Sequence, residues 1–381
     1  MSGRQVTVWT LYPVRARTPV AAPVGFRRSV RATDAEGAEQ RMTRHPGLGR
    51  LTAGLATATV LCVTATGCVT VHGELAVLPG AKKSEAAQAL KDFTDAYNAA
   101  DKAFDPALDA DRVTGSLGAI NQAGLKARRT YNPDGNKAHK PLVLDDATYV
   151  IPKKAGWPRW FLADTDSNRD QDGGKLDTRW LVVFVRTGPD AQWKAAYLGV
   201  LPASQVPEFV LDGDGLATPV KPQDDELAVA PADLSASYTG YLQNGSPDVF
   251  TPSTSTSGWR ETRRTTRRAG FSYQYVDQPL TGSTFAPLGL RTEDGGALVF
   301  FNSKHFERQV AAKGLRPEVN PDVKALLTGE VNSTLTKERV SSQLVHVPPR
   351  AAGAGSGADT GSGGKVRMLN RLPGLIAAKG E

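Results

Sequence analysis

The sequence predicts an α+β fold of two tandem modules, each an N-terminal amphipathic helix packed on an antiparallel sheet. Three observations carry this expectation. A helical apolar stripe opens the segment after residue 83, and residues 142–201 then switch to short runs dense in Val, Phe, Trp and Tyr, separated by turn-forming residues. After a stretch rich in Gly, Pro and acids at 212–231, the same succession begins again. Helices followed by a run of antiparallel strands define the α+β class.

In the first module, "SEAAQALKDFTDAYNAADKAF" places Leu90, Phe93, Tyr97 and Phe104 at the spacing of one helix face, with Ser84 as the expected N-cap. Pro106 ends that helix or opens the next turn. "DRVTGSLGAINQAGLKARR" supplies one or two further helices around Leu117, Ile120 and Leu125. The strands expected next are "LVLDDATYVIP", "PRWFLAD", "TRWLVVFVRT" and "QWKAAYLGVL", with a tight connection at "TGPDAQ". The first module is thus placed at 84–211, a linker at 212–231 and the second module at 232–381. In the second module Leu234, Tyr238 and Tyr241 repeat the helical stripe. Strands are expected at "GFSYQYV", "FAPLGLRT", "GALVFFNSKHF", "SSQLVHVP", "KVRML" and "GLIAAK", with a hairpin turn at "EDGG", a short helix at "NPDVKALLTGE" and a flexible Gly/Ser loop at 350–364.

The part before these modules reads as an export signal. Residues Leu51 to Gly67 carry no charge and follow Arg41, Arg44, His45 and Arg50, a basic segment leading into an apolar one. Five threonines make the stretch a poor helix, and it falls short of the roughly 20 strongly apolar residues of a membrane span. Small residues Ala65, Thr66 and Gly67 then precede Cys68, which places cleavage after Gly67 and a diacylglyceryl thioether on Cys68. Residues 68–83 are expected to form a tether, and Met42 is a more compact start than Met1, because Asp34, Glu36 and Glu39 interrupt the upstream segment. The expected location is the outer face of the cell membrane, held by lipid.

Charge excludes one class of partner. The formal net charge of +7 invites a nucleic-acid reading, but residues 1–67 hold nine Arg against three acidic residues and so account for six of the seven charges. The remainder is nearly neutral, and no nucleic-acid partner is expected. With Cys68 acylated no thiol is left for a disulfide, so stability must come from packing.

Two constellations stand out. "DTDSNRDQDGGKLD" sets Asp166, Asn168, Asp170, Asp172 and Asp177 at positions one, three, five, seven and twelve of a calcium loop, though Gln171 stands where Gly is wanted and no helix pair flanks it. The competing reading is a solvated hairpin tip. "GWRETRRTTRRAGF" concentrates Arg260, Arg263, Arg264, Arg267 and Arg268 beside Trp259 and Phe271, either an anion-binding patch or a charged face that resists aggregation. Trp157, Trp160, Trp180 and Trp193 belong to the first sheet as core or as pocket lining. No zinc spacing, nucleophile elbow or phosphate loop occurs, so neither cofactor nor catalytic residue is assigned.

"FTDAYNAADKAFD" and the four aromatic-rich strands after it resemble the cystatin-like and nuclear transport factor two-like superfold. Residues 65–68 are similar to the lipobox of bacterial lipoproteins, with Ala65 where Leu is commonest. Through "GCVTVHGE", "INQAGLKAR", "GGALVFF" and "AAKGE" the chain resembles lipoproteins of high-GC actinobacteria. That resemblance implies a lipid-anchored surface protein and brings no activity with it. The expected role is binding or scaffolding with a wall component or a protein partner; the alternative is a hydrolase or isomerase with a cone-shaped pocket in the first module.

Overall fold

The computed structural model describes residues 76–171, 173–351 and 364–381. The expected signal, Gly67 and Cys68 lie outside the described residues, as does most of the 350–364 loop.

Strand β1 (Val77–Pro79) leads into helix α1 (Lys83–Ala103), and α2 (Gly115–Tyr131) follows. Helix α1 begins one residue before Ser84, because Glu85 reaches back to the first free backbone donor: its Oε2 accepts from the N–H of Lys82 at 2.9 Å. Ala86, Ala89, Leu90 and Phe93 are buried on one face, as the stripe requires, and Phe104 closes the helix at φ 49°. Next come β2 (Leu144–Val150), β3 (Lys153–Ala155), β4 (Arg159–Ser167), β5 (Thr178–Arg186) and β6 (Lys194–Pro202). Strands β2, β4, β5 and β6 form an antiparallel sheet in that order, and β3 pairs with β1. Period-two alternation sends Phe161, Ala163, Val182 and Phe184 toward α1, while Trp160, Leu162, Leu181, Val183 and Tyr197 enter a second core. Both faces are therefore buried, which explains the unbroken apolar run "WLVVFV".

The second half holds α3 (Leu234–Asn244), α4 (Ser257–Thr265), β7 (Phe271–Leu280), β8 (Leu288–Arg291), β9 (Ala297–Ala311), α5 (Pro321–Ala325), β10 (Leu327–Thr328), β11 (Thr334–Val347) and β12 (Arg367–Gly380). Its sheet runs β10-β12-β11-β9-β7, with β8 added along β9. The two segments expected as separate strands, "KVRML" and "GLIAAK", are one long β12, bulged where β11 passes it. Along β9 the odd residues Ala297, Val299 and Phe301 meet Tyr238, Tyr241 and Leu242 of α3. The even residues Leu298 and Phe300, with Leu290 and Leu344, meet the first sheet.

The halves consequently share a core. Layers run helix, sheet, sheet, helix, and the described residues cluster as one compact unit. Gly199 lies where the sheets approach closest: a Cβ there would stand 2.5 Å from Leu344 Cδ2. A polar tie crosses the same interface, with Asn302 Nδ2 donating to Tyr197 Oη at 2.9 Å and Tyr197 Oη donating to the carbonyl of Ala286 at 2.6 Å. The 212–231 stretch, expected as a linker, is stitched to both halves: Ala217 N–H donates to Ile151 O and Val220 N–H to Gly289 O, and Leu227 is wholly buried.

Candidate functional site

Helix α4 owes its position to the turn before it and to the side chains beneath it. Thr256 Oγ1 accepts from Ser253 N–H at 2.8 Å, closing that turn. Trp259 packs against the α3 core, and the arginines then fan out along α4. Between α3, α4 and β7 lies an open cleft of about 740 Å³, walled by Leu242, Arg260, Arg263, Arg264, Tyr275 and Asp277, with Glu261 at its rim.

Each arginine of the predicted patch has a different fate. Arg263, nearly buried, grips Asp277 with both terminal nitrogens, Nη2 to Oδ1 at 2.9 Å and Nη1 to Oδ2 at 2.5 Å, and lies over the rings of Trp259 (4.7 Å) and Tyr275 (5.0 Å). Arg264 forms a two-point pair with Glu261 at 2.8 and 2.9 Å. Arg260 stacks on Tyr241 at 5.1 Å and has no carboxylate partner among the described residues. Gly245, at φ 89°, makes room for it: a Cβ there would stand 2.8 Å from Arg260 Nη2. Arg267 and Arg268 lie beyond the end of α4, where Arg268 pairs with Glu318 at 3.0 Å and covers Phe271.

Behind the cleft runs a buried polar line that the sequence did not signal. Asp277 on β7 faces His305 on β9 in strand register, and the His305 Nδ1 to Asp277 Oδ1 contact is very short. Ser303 Oγ is 3.0 Å from His305 Nε2, and the Gln343 amide is 2.6 Å from Ser303 Oγ. Burial pushes His305 down to about 4 against the pull of Asp277, with Arg371 and Arg263 adding to the fall. Burial raises the Asp277 carboxyl, but hydrogen bonds from His305 and Arg263 outweigh it and the net direction is down. With the imidazole neutral, Nδ1–H donates to Asp277, Nε2 accepts from the Ser303 hydroxyl, and Ser303 accepts from Gln343, an amide orientation that leaves the Gln343 oxygen facing the carbonyls of Phe301 and Ser341. Turned over, the Gln343 amide instead donates to the carbonyls of Phe301 and Ser341 at 3.0 Å and accepts from Ser303, the arrangement that suits a protonated ring. Ring protonation and amide orientation are therefore coupled.

Serine, histidine and aspartate in this order form the relay of many hydrolases. Here Ser303 is wholly enclosed and its hydroxyl is held by Gln343, so no substrate carbonyl reaches it. Arg371 of β12 completes the cluster: its guanidinium lies over the Trp259 ring at 5.0 Å, burial lowers its pKa, and no carboxylate pairs with it among the described residues.

A neutral buried histidine gives a pH signature. Between the unfolded value of 6.5 and about 4, the unfolded chain takes up a proton that the folded chain refuses, so acidification destabilises the fold. Asp109 opposes this: burial raises its folded value to about 6, so it takes up a proton in the folded state first. The comparison therefore uses a variant. Relative to His305→Gln, the natural chain is expected to lose about 2 kcal/mol more on going from pH 7 to pH 5 in urea unfolding. Parallel pH profiles would show that His305 is not held neutral.

The predicted calcium residues serve the β4–β5 connection. Asp166 accepts from Ser167 N–H, Asn168 Oδ1 from Val143 N–H, Asp170 from Thr178 N–H, and Asp177 from Gly173 N–H. Asp172 lies outside the described residues, and no group of three or more potential metal ligands occurs among those described. Since these oxygens already bind backbone donors, millimolar calcium is expected to leave the melting temperature unchanged; a rise of several degrees would restore the calcium loop. Trp160 and Trp180 are buried, Trp193 meets Phe161 edge-on at 4.9 Å, and Trp157 is exposed. The space between α1 and the first sheet, the place of the expected cone-shaped pocket, is filled by Phe93, Phe161 and Phe184, the last two stacked at 4.9 Å.

Fold and site together define a four-layer α+β protein with an arginine-lined cleft on its second sheet. The family model described as Domain of unknown function (DUF8094) matches residues 77–368, nearly all of the compact unit. The chain belongs to that family. It is 51% identical over 328 residues to an uncharacterized lipoprotein of Streptomyces coelicolor, covering 86% of this chain and 94% of that one. It is 48% identical over 335 residues to an uncharacterized lipoprotein of Streptomyces avermitilis (87% and 96% covered). A second S. coelicolor lipoprotein is 27% identical over 217 residues, covering 55% of this chain and 59% of that one. No solved structure matches the chain. The names of these relatives agree with the lipoprotein reading of the sequence, and no helix among the described residues is long and apolar enough to cross a membrane.

Proposed function

We propose that this is an exported protein, anchored at the outer face of the membrane by lipid on Cys68, which binds an anionic polymer of the cell wall in the α4 cleft. The anchor is supported by the charge-free segment ending in Gly67 and by the lipoprotein relatives. One observation carries the binding site: three arginines line the cleft against only two carboxylates, and Arg260 has neither. Arg371 behind Trp259 adds a second cation without a carboxylate. A half-buried guanidinium that lines a cleft and is braced on an aromatic ring is pre-set to take a phosphate or carboxylate in two-point fashion. Binding is favoured over catalysis because the Ser–His–Asp line of Ser303, His305 and Asp277 is sealed.

The test is fluorescence anisotropy with a labelled poly(glycerol phosphate) oligomer. Arg260→Ala is expected to weaken binding about tenfold, equivalent to about 1.4 kcal/mol, and added salt to weaken the natural chain more than the variant. No binding, or equal binding by both chains, would remove the cleft from this role. Mass spectrometry of the membrane fraction separately reports whether Cys68 carries acyl chains.

A further inference from the structure

The first described strand brings a second surface to the place where the chain comes from its anchor. Strand β1 pairs antiparallel with β3, so that Leu78 stands opposite Lys154 and Val77 opposite Ala155. Val77 and Leu78 are 61% and 45% exposed, unusual for a paired strand next to a core. The chain then turns inward at Gly80, whose N–H donates to Pro152 O at 2.8 Å; a Cβ at Gly80 would stand 2.4 Å from Trp160 O, so the entry point is fixed against the body. Two residues beyond β3, Trp157 is 37% exposed. Arg159 covers its ring at 4.7 Å and Arg186 lies 5.7 Å from it. Neither Lys154 nor Arg159 pairs with a carboxylate among the described residues, and Arg159 Nε has no hydrogen-bond partner.

Exposed aliphatic side chains, an exposed tryptophan and unpaired cations on one short ribbon and the turn after it are the chemistry of a bilayer interface. Apolar groups and the indole enter the headgroup region, while Lys and Arg meet anionic lipid. Location selects the occupant. Only eight residues lie between Cys68 and Val77, and the chain across them spans at most about 30 Å. On the anchored protein the start of the ribbon is never farther than that from the surface, so even weak contact is made at high effective concentration.

We propose that the β1–β3 ribbon and the turn after it, with Leu78 and Lys154 on one face of the ribbon, Val77 on the other and Trp157 beyond its end, dock the folded body against an anionic bilayer. The proposal rests on the anchor at Cys68, and its test replaces that anchor so that the two fail separately. The compact unit, residues 74–381, is tethered through an N-terminal His tag to vesicles bearing nickel-chelating lipid, brominated acyl chains and either phosphatidylglycerol or only phosphatidylcholine. Tryptophan fluorescence is expected to be quenched on the phosphatidylglycerol vesicles at least threefold more than on the neutral ones. Trp157→Phe should remove most of that quenching, and Lys154→Glu, a surface change, should lower it with the circular dichroism spectrum unchanged. Quenching that is equal on both vesicle types, or unaltered by Trp157→Phe, overturns the docking. Absence of acyl mass on Cys68 in the cell would instead overturn the anchor.

Discussion

Asp277→Ala is expected to lower the unfolding free energy by about 3–5 kcal/mol, the cost of removing one partner from a buried ion pair. Asp277 is 4% exposed and, among the described residues, supplies the only carboxylate to both Arg263 and His305. Deleting it leaves a nearly buried guanidinium and an imidazole donor with nothing to accept from them, while Arg371 stands close by as a further positive charge. Asp277→Asn keeps one acceptor oxygen and should cost less. Glu261→Ala breaks an exposed pair on the same helix and should cost least, since water and salt screen that pair. Urea unfolding followed by circular dichroism measures all three. If Asp277→Ala costs less than about 1 kcal/mol, Arg263 and His305 must reach water when released, and the cleft floor is more open than the structure shows.

Phe300→Ala is expected to cost about 3–5 kcal/mol, in the range of buried aromatic truncation, and to leave a single unfolding transition. Phe300 is 2% exposed, lies between the sheets and sits 5.7 Å from the Tyr197 ring. Its neighbours Leu162, Leu181 and Val183 belong to the first half, while Leu290, Leu298 and Leu344 belong to the second. A cavity there loosens both halves at once. Two well-separated transitions, only one of them shifted, would mean that each half holds its own stability.

The secondary structure was largely readable in the residues. Apolar spacing located α1, and the aromatic-rich runs located β2, β4, β5 and β6, because local periodicity is set by which face must be dry. The arginine patch was visible as composition, but its division was not. Arg263 turns inward because Asp277, fourteen residues away on β7, awaits it; Arg264 stays out because Glu261 is one helical turn behind it. Nothing near Asp277, His305 or Arg371 marks them, since each lies in an alternating strand whose register with its neighbours is not written locally.

By itself the sequence determined the α+β class, most of the helix and strand positions and the near-neutral charge after residue 67. These follow from short-range periodicity, composition and spacing. Only the tertiary structure decided that the two sheets share a core, that the 212–231 stretch is sewn to both, and that one arginine of five lines the cleft without a carboxylate. Pairing between distant strands, and the charge left over once each ion has found its partner, depend on which residues meet in space, and the order of the chain does not state that.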